Sequence, residues 1–170
     1  MMKLIDQETI DFAEDFFFKL SDAQVKERVE EFKTRQGGIH LYVSGVFDNL
    51  RGHEQRIILW QMTLMIDHCF NIFYGKLLMI RKEAIIAQMK SYETSKHLGK
   101  NSGSNFINLP KLMEEIGQNN LIATIGIKLK FYDQDLKLFT KYENEELILT
   151  LMSLGYIYQN EIKKRTVQQN

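Results

Sequence analysis

Residues 56–81 read RIILWQMTLMIDHCFNIFYGKLLMIR, a run that is mostly apolar or aromatic, with one glycine and no proline. Strands in globular domains span about 3–10 residues, so a run this long predicts a helix. A helix apolar around most of its circumference is buried on most sides, and the remainder of the chain then serves as its wrapping. The run does not read as a membrane span. Gln61, Asp67, His68, Asn71 and Lys76 interrupt it, and the longest stretch without a charge is too short. The central helix is expected from His53 to about Lys90, with Gly75 placed to kink or divide it.

On the N-terminal side, Ile5, Thr9, Phe12, Ala13, Phe16, Phe17 and Leu20 recur at helical spacing, with Glu8, Asp11, Glu14 and Asp15 on the other face. Ser21-Asp22-Ala23-Gln24 has the capping-box form and opens a second helix, whose narrow apolar edge is Val25, Val29 and Phe32. Gly37-Gly38 is expected to end it. The segment 39–50 fits a strand by composition and a helix by its stripe Ile39, Val43, Val46, Phe47 and Leu50. Helix is favoured because no partner strand is evident nearby.

On the C-terminal side, 99–109 reads as a flexible linker of small polar residues ahead of Pro110. It separates an N-terminal helical part, 1–98, from a C-terminal helical part, 110–165, and the two are expected to form one compact domain. Residues 110–117 suit a short helix with Pro110 in its first turn. The segment 119–132 fits a helix through Leu121, Ile125 and Leu129, and a strand through Ile125, Ile127, Leu129 and Phe131. Asp133 is expected to open a short helix through Phe139. A final helix follows from Glu143 to about Lys164, with acids at its start and Lys163, Lys164 and Arg165 at its end, as the helix dipole prefers. The fold class expected is therefore all-α, with six to eight helices packed around the central one.

Composition narrows the function classes. At 170 residues, with 44% hydrophobic residues, the chain can bury a sizeable core. The 22 basic and 22 acidic residues balance, whereas nucleic-acid binders carry a basic excess or stripe, so no nucleic-acid partner is expected. A lone cysteine, Cys69, cannot form an internal disulfide. The N-terminal MMKLIDQETIDF carries acids where a secretory signal needs an apolar core. Both observations point to the cytoplasm.

The central helix holds the concentrated polar chemistry. Thr63, Asp67 and Asn71 align at spacing four, and Gln61 and His68 lie on an adjacent line. Asp67, His68 and Asn71 are the candidate catalytic residues: a buried carboxyl is a potential acid or base, and an imidazole a proton carrier. Asp67 and His68 are each expected to be partly or fully buried beside a polar partner, because an unpaired buried charge is costly. As neighbours on a helix they diverge by about 100°. The candidate metal ligands are His68, His53, His97 and Glu93, the last two at spacing four. No Glu-x-x-His pair, His-Glu-x-x-His or Cys-x-x-Cys occurs, and no metal or other cofactor is expected. Phosphate-loop and nucleophile-elbow signatures are also missing.

The function favoured by these observations is a cytosolic, non-catalytic interaction or regulatory module. The alternative is a small metal-dependent or acid/base helical-bundle enzyme using His68 or Asp67 with residues from other helices. A protein partner or a homodimer through the 143–162 helix is expected. That helix carries Leu147, Leu151, Leu154 and Tyr158 on one side and Ile148, Met152 and Tyr156 on another, more apolar surface than a peripheral helix needs.

Overall fold

A computed structural model describes residues 4–75, 79–90 and 117–167. Within these residues every regular element is helical, and the chain is all-α. Helix α1 (Gln7–Phe18) is capped by Asp6, whose side chain accepts a hydrogen bond from the Thr9 amide at 2.7 Å. Helix α2 (Asp22–Arg35) opens on the expected capping box. The Ser21 hydroxyl accepts from the Gln24 amide, and the Gln24 carboxamide accepts from the Ser21 amide at 2.9 Å. The segment read two ways becomes α3 (Gly37–Phe47).

The glycine pair does not end α2. Gln36 caps it, and Gly37 is already the first residue of α3. Gly38 has a packing reason instead. A Cβ there would lie 2.7 Å from the Ile85 side chain, so the glycine lets the start of α3 approach α5 (82–90) closely.

Helix α4 (His53–Tyr74) is the axis of the fold. Every residue from Ile58 to Asp67 is buried, as are Cys69 and Phe70. Such unbroken burial requires neighbours on all sides, and α1, α2 and the final helix supply them. Burying each Leu-, Ile- or Met-sized side chain along it contributes about 1.5–3 kcal/mol. The helix does not run on to Lys90. Gly75 adopts a left-handed conformation, φ 67°, which closes α4 as its C-cap, and the next described helix covers 82–90.

Helix α6 (Asn119–Lys130) settles the second ambiguous segment. Leu121, Ile122, Ile125 and Leu129 are buried at helical spacing, while Ile127 and Phe131, which a strand would bury with them, are exposed. Asp133 does not open a new helix. Instead α6 widens without a break into a π-turn over Phe131–Asp135, and Lys137 then takes φ 52°, outside any right-handed helix. The expected linker 99–109 and the expected helix 110–117 lie outside the described residues, except for Gly117.

Helix α7 (Lys141–Val167) is capped by Thr140. Its amide donates to the Glu143 carboxylate at 2.8 Å, and its hydroxyl accepts from the Glu143 amide at 3.3 Å. Leu147, Leu151, Met152, Leu154, Ile157 and Tyr158 are buried within the chain, and Ile148 and Tyr156 pack against the same core. The second apolar face on which a dimer through 143–162 was expected is thus covered from within by α3, α4 and α6. Among the described residues no helix is long and apolar enough to cross a membrane.

Candidate functional site

Asp67 lies two turns before the end of α4, at only 4% exposure, and both of its carboxylate oxygens are engaged. Arg35, the last residue of α2, reaches it as a fork. One guanidinium nitrogen donates to Oδ1 at 3.1 Å and the other to Oδ2. The Tyr158 hydroxyl from α7 donates to Oδ1, and the Gln36 carboxamide adds a long contact at 3.5 Å. Bidentate arginine pairing is the strongest way to hold a buried carboxylate. Burial opposes the charge on Arg35, but the hydrogen bond and charge of Asp67 outweigh it and hold the guanidinium above its ordinary range. Burial, with the neighbouring Asp67 charge, pushes the Tyr158 phenol well above its ordinary value, so it remains a hydrogen-bond donor.

Gln36 extends this junction. Its carboxamide oxygen accepts from the Ile80 amide at 3.1 Å, which ties the chain beyond α4 back to the α2–α3 joint. Asn71, the third residue of the aligned set, donates to the Asp67 backbone carbonyl at 2.7 Å, and Thr63 likewise bonds to Leu59 of its own helix. Of the polar line on α4, Asp67 joins three helices, while these Thr63 and Asn71 bonds stay within α4. A second junction joins the termini of the described chain. Gln118 accepts from the Ile5 amide at 2.8 Å and donates to the Tyr74 hydroxyl and the Gln159 carboxamide, each at 3.1 Å.

His68, the next residue after Asp67, points elsewhere. Its ring meets Phe17 edge-on at 5.5 Å between centroids and Phe12 at 6.1 Å. It is half-buried and has no polar partner among the described residues, contrary to expectation. Burial holds the imidazole below its ordinary value, against a smaller upward pull from the Asp67 charge. Phe12 is 61% exposed, Phe16 is 39% exposed, and Ile72, one turn along α4 from His68, is 59% exposed. Phe12 and Phe16 stack at 6.2 Å. Together these side chains form an apolar face on α1 and α4 that nothing in the described chain covers.

The described histidines do not converge on a metal site. His40 stacks on Trp60 at 5.2 Å, and burial, helped by Lys33, holds its imidazole low. His53 sits at the start of α4, exposed, with Nε2 2.6 Å from the Asp22 carboxylate. It lies fifteen residues before His68 on the same helix, about 22 Å along the axis. His97 and Glu93 lie outside the described residues. Among the described residues no group of three or more His, Cys, Asp or Glu side chains is placed to hold a metal ion. Cys69 is buried, and burial pushes its thiol up to about 12, which leaves it a poor nucleophile.

Sequence reasoning found Asp67 but not Arg35 or Tyr158, its principal partners. The available signal was chemical: a carboxylate inside an apolar helix needs a cation, and a tyrosine in an apolar band needs an acceptor for its hydroxyl. No protein-family model, curated protein or solved structure matches this chain.

Proposed function

We propose that the protein is a non-catalytic interaction module of the cytosol that docks a partner helix on the α1/α4 aromatic face. The observation that carries this reading is the set formed by exposed Phe12, Phe16 and Ile72 around the half-buried His68, flanked on α1 by exposed Glu8, Asp11 and Asp15. An apolar face with an acidic border complements an amphipathic helix whose apolar stripe is flanked by lysine or arginine. The same border disfavours a second copy of this face and an anionic membrane surface. The engagement of both Asp67 oxygens supports a non-catalytic reading, since a general acid or base needs a proton or lone pair within reach of substrate. The lone buried thiol of Cys69 suits a reducing compartment.

The reading is tested by titrating the protein, observed by amide NMR, with a synthetic helical peptide bearing leucines at spacings three and four and lysines on either side. Saturable shifts around Phe12, Phe16, His68 and Ile72 are expected. They should be lost in the Phe12→Ser, Phe16→Ser double variant and with a peptide carrying glutamates in place of lysines. Shifts spread over other faces, or retained in the double variant, would refute it. Sedimentation showing a dimer disrupted by the same substitutions would assign the face to self-association instead.

A further inference from the structure

A concave feature lies toward the other end of α4. The start of α4, the start of α2 and the π-turn after α6 enclose an open cleft of about 790 Å3. Its deeper lining is Ile58 and Gln61, both buried, with Ile57 and the half-buried Tyr132 as apolar walls. Its rim carries Glu54 and Lys137, both exposed, together with the His53–Asp22 pair.

Two features of this cleft bear on what it can bind. Gln61 is only 6% exposed, yet its carboxamide makes no hydrogen bond among the described residues. The polar atoms of this side chain are not sealed from solvent; they open onto the cleft and offer a donor and an acceptor there. The wall that faces it is built from unusual backbone. A π-turn over Phe131–Asp135 places Tyr132, and Lys137 is the sole non-glycine residue with positive φ among the described residues, at 52°. Both kinds of irregularity cost stability and recur where a binding surface is shaped.

We propose that this cleft binds a short apolar peptide with free ends, of about three residues. A peptide bond offers one N–H and one C=O, which match the two halves of the Gln61 carboxamide. Apolar side chains lie on Ile57, Ile58 and the Tyr132 ring. The free ammonium and carboxylate ends meet Glu54 and Lys137, which stand at the rim as opposite charges. His53 and Asp22 are already paired with each other. The volume is in the range of small-molecule sites, about 300–1,000 Å3, and exceeds what a single amino acid fills. This proposal is independent of the docking face, which shares none of these residues.

The test is an amide NMR titration of the full chain with the tripeptide Gly-Leu-Phe and with its acetylated, amidated form. Saturable shifts are expected at millimolar peptide, confined to the Gln61 side-chain amide, the first turns of α4, Tyr132 and Lys137. The capped peptide, which loses both end charges, should bind at least about tenfold more weakly. Gln61→Leu, close in volume, should weaken binding about tenfold or more while the chain still melts cooperatively. Lys137→Gly supplies a variant that folds more easily, since it relieves the positive φ, and it too should bind more weakly. Three outcomes overturn the proposal: no saturable shifts, equal binding of the capped peptide, or undiminished binding by Gln61→Leu.

Discussion

Asp67 and His68 are adjacent on one helix, yet they belong to opposite kinds of surface. Asp67 faces α2 and α7, where Arg35 and Tyr158 close around it. His68, turned by about 100°, faces α1 and the solvent beside Phe12 and Phe17. One side of α4 spends its polarity on fixing three helices together. The other leaves aromatic area uncovered. The difference shows that a polar residue in a buried helix is not by itself a site: Asp67 is satisfied from within, and what remains available lies one residue further on.

The contrast is broken most severely by Asp67→Ala. It leaves the Arg35 guanidinium and the Tyr158 hydroxyl without their acceptor in a largely buried setting, where removing one partner of such a pair costs about 3–5 kcal/mol. Urea unfolding should show a lower midpoint with an unchanged slope. Tyr158→Phe removes one hydrogen bond to the carboxylate and keeps the Arg35 fork, so a loss of about 1.5–3 kcal/mol is expected. If Asp67→Ala costs no more than Tyr158→Phe, the cluster is not the junction described.

How far this arrangement could be read in advance depended on the separation of the residues involved. The Ser21–Gln24 cap spans three positions, and its chemistry is complete in the sequence. The apolar spacing of α1, α2 and α7 likewise declares helices, because period alone decides the buried face. Asp67 finds Arg35 32 positions away and Tyr158 91 positions away. Nothing local relates those residues; only helix packing does. The turn at Phe131–Asp135 was misread for a related reason. Asp133 resembles a helix start, but the widening of α6 and the left-handed Lys137 reflect how the chain must turn to bring Phe139 and α7 onto the core. Gln61 was visible as a polar interruption of the central run, but not as one that opens onto a cleft.

On the exposed side of α4 the expected effects on stability are small, which sharpens the comparison. Phe12→Ser alters a side chain that is 61% exposed, so its unfolding free energy should change by only about 0.5 kcal/mol. Phe17→Ala, five residues on but 6% exposed, should cost about 3–5 kcal/mol. A Phe12 variant as damaging as the Phe17 one, measured by thermal unfolding, would mean that the α1 face is core, and that the docking surface does not exist.

The smallest effect concerns protons. Burial against Phe12 and Phe17 holds the His68 imidazole below its ordinary value of 6.5, with Asp67 pulling weakly the other way. The unfolded chain therefore takes up this proton at a higher pH than the folded one. Stability from this group is complete above about pH 6.5 and is lost as pH falls toward the folded value. His40 acts in the same direction, because burial and Lys33 also hold it low. Acidification alone cannot separate the two, but substitution can. His68→Phe preserves an aromatic ring between Phe12 and Phe17 and removes the titration. Its urea midpoint should fall less than that of the wild type between about pH 7.5 and about pH 5.5, with His40 contributing to the remainder. The docking face adds a second readout. Protonating His68 places a positive charge at the centre of a surface proposed to receive a basic helix, so the lysine-bearing peptide should bind more weakly at the acid end in the wild type and less so in His68→Phe. Equal acid slopes for both proteins would mean that the imidazole titrates as it does in water. The ring would then not be shielded by α1, and the aromatic face would have to be assigned to some other arrangement of Phe12 and Phe16.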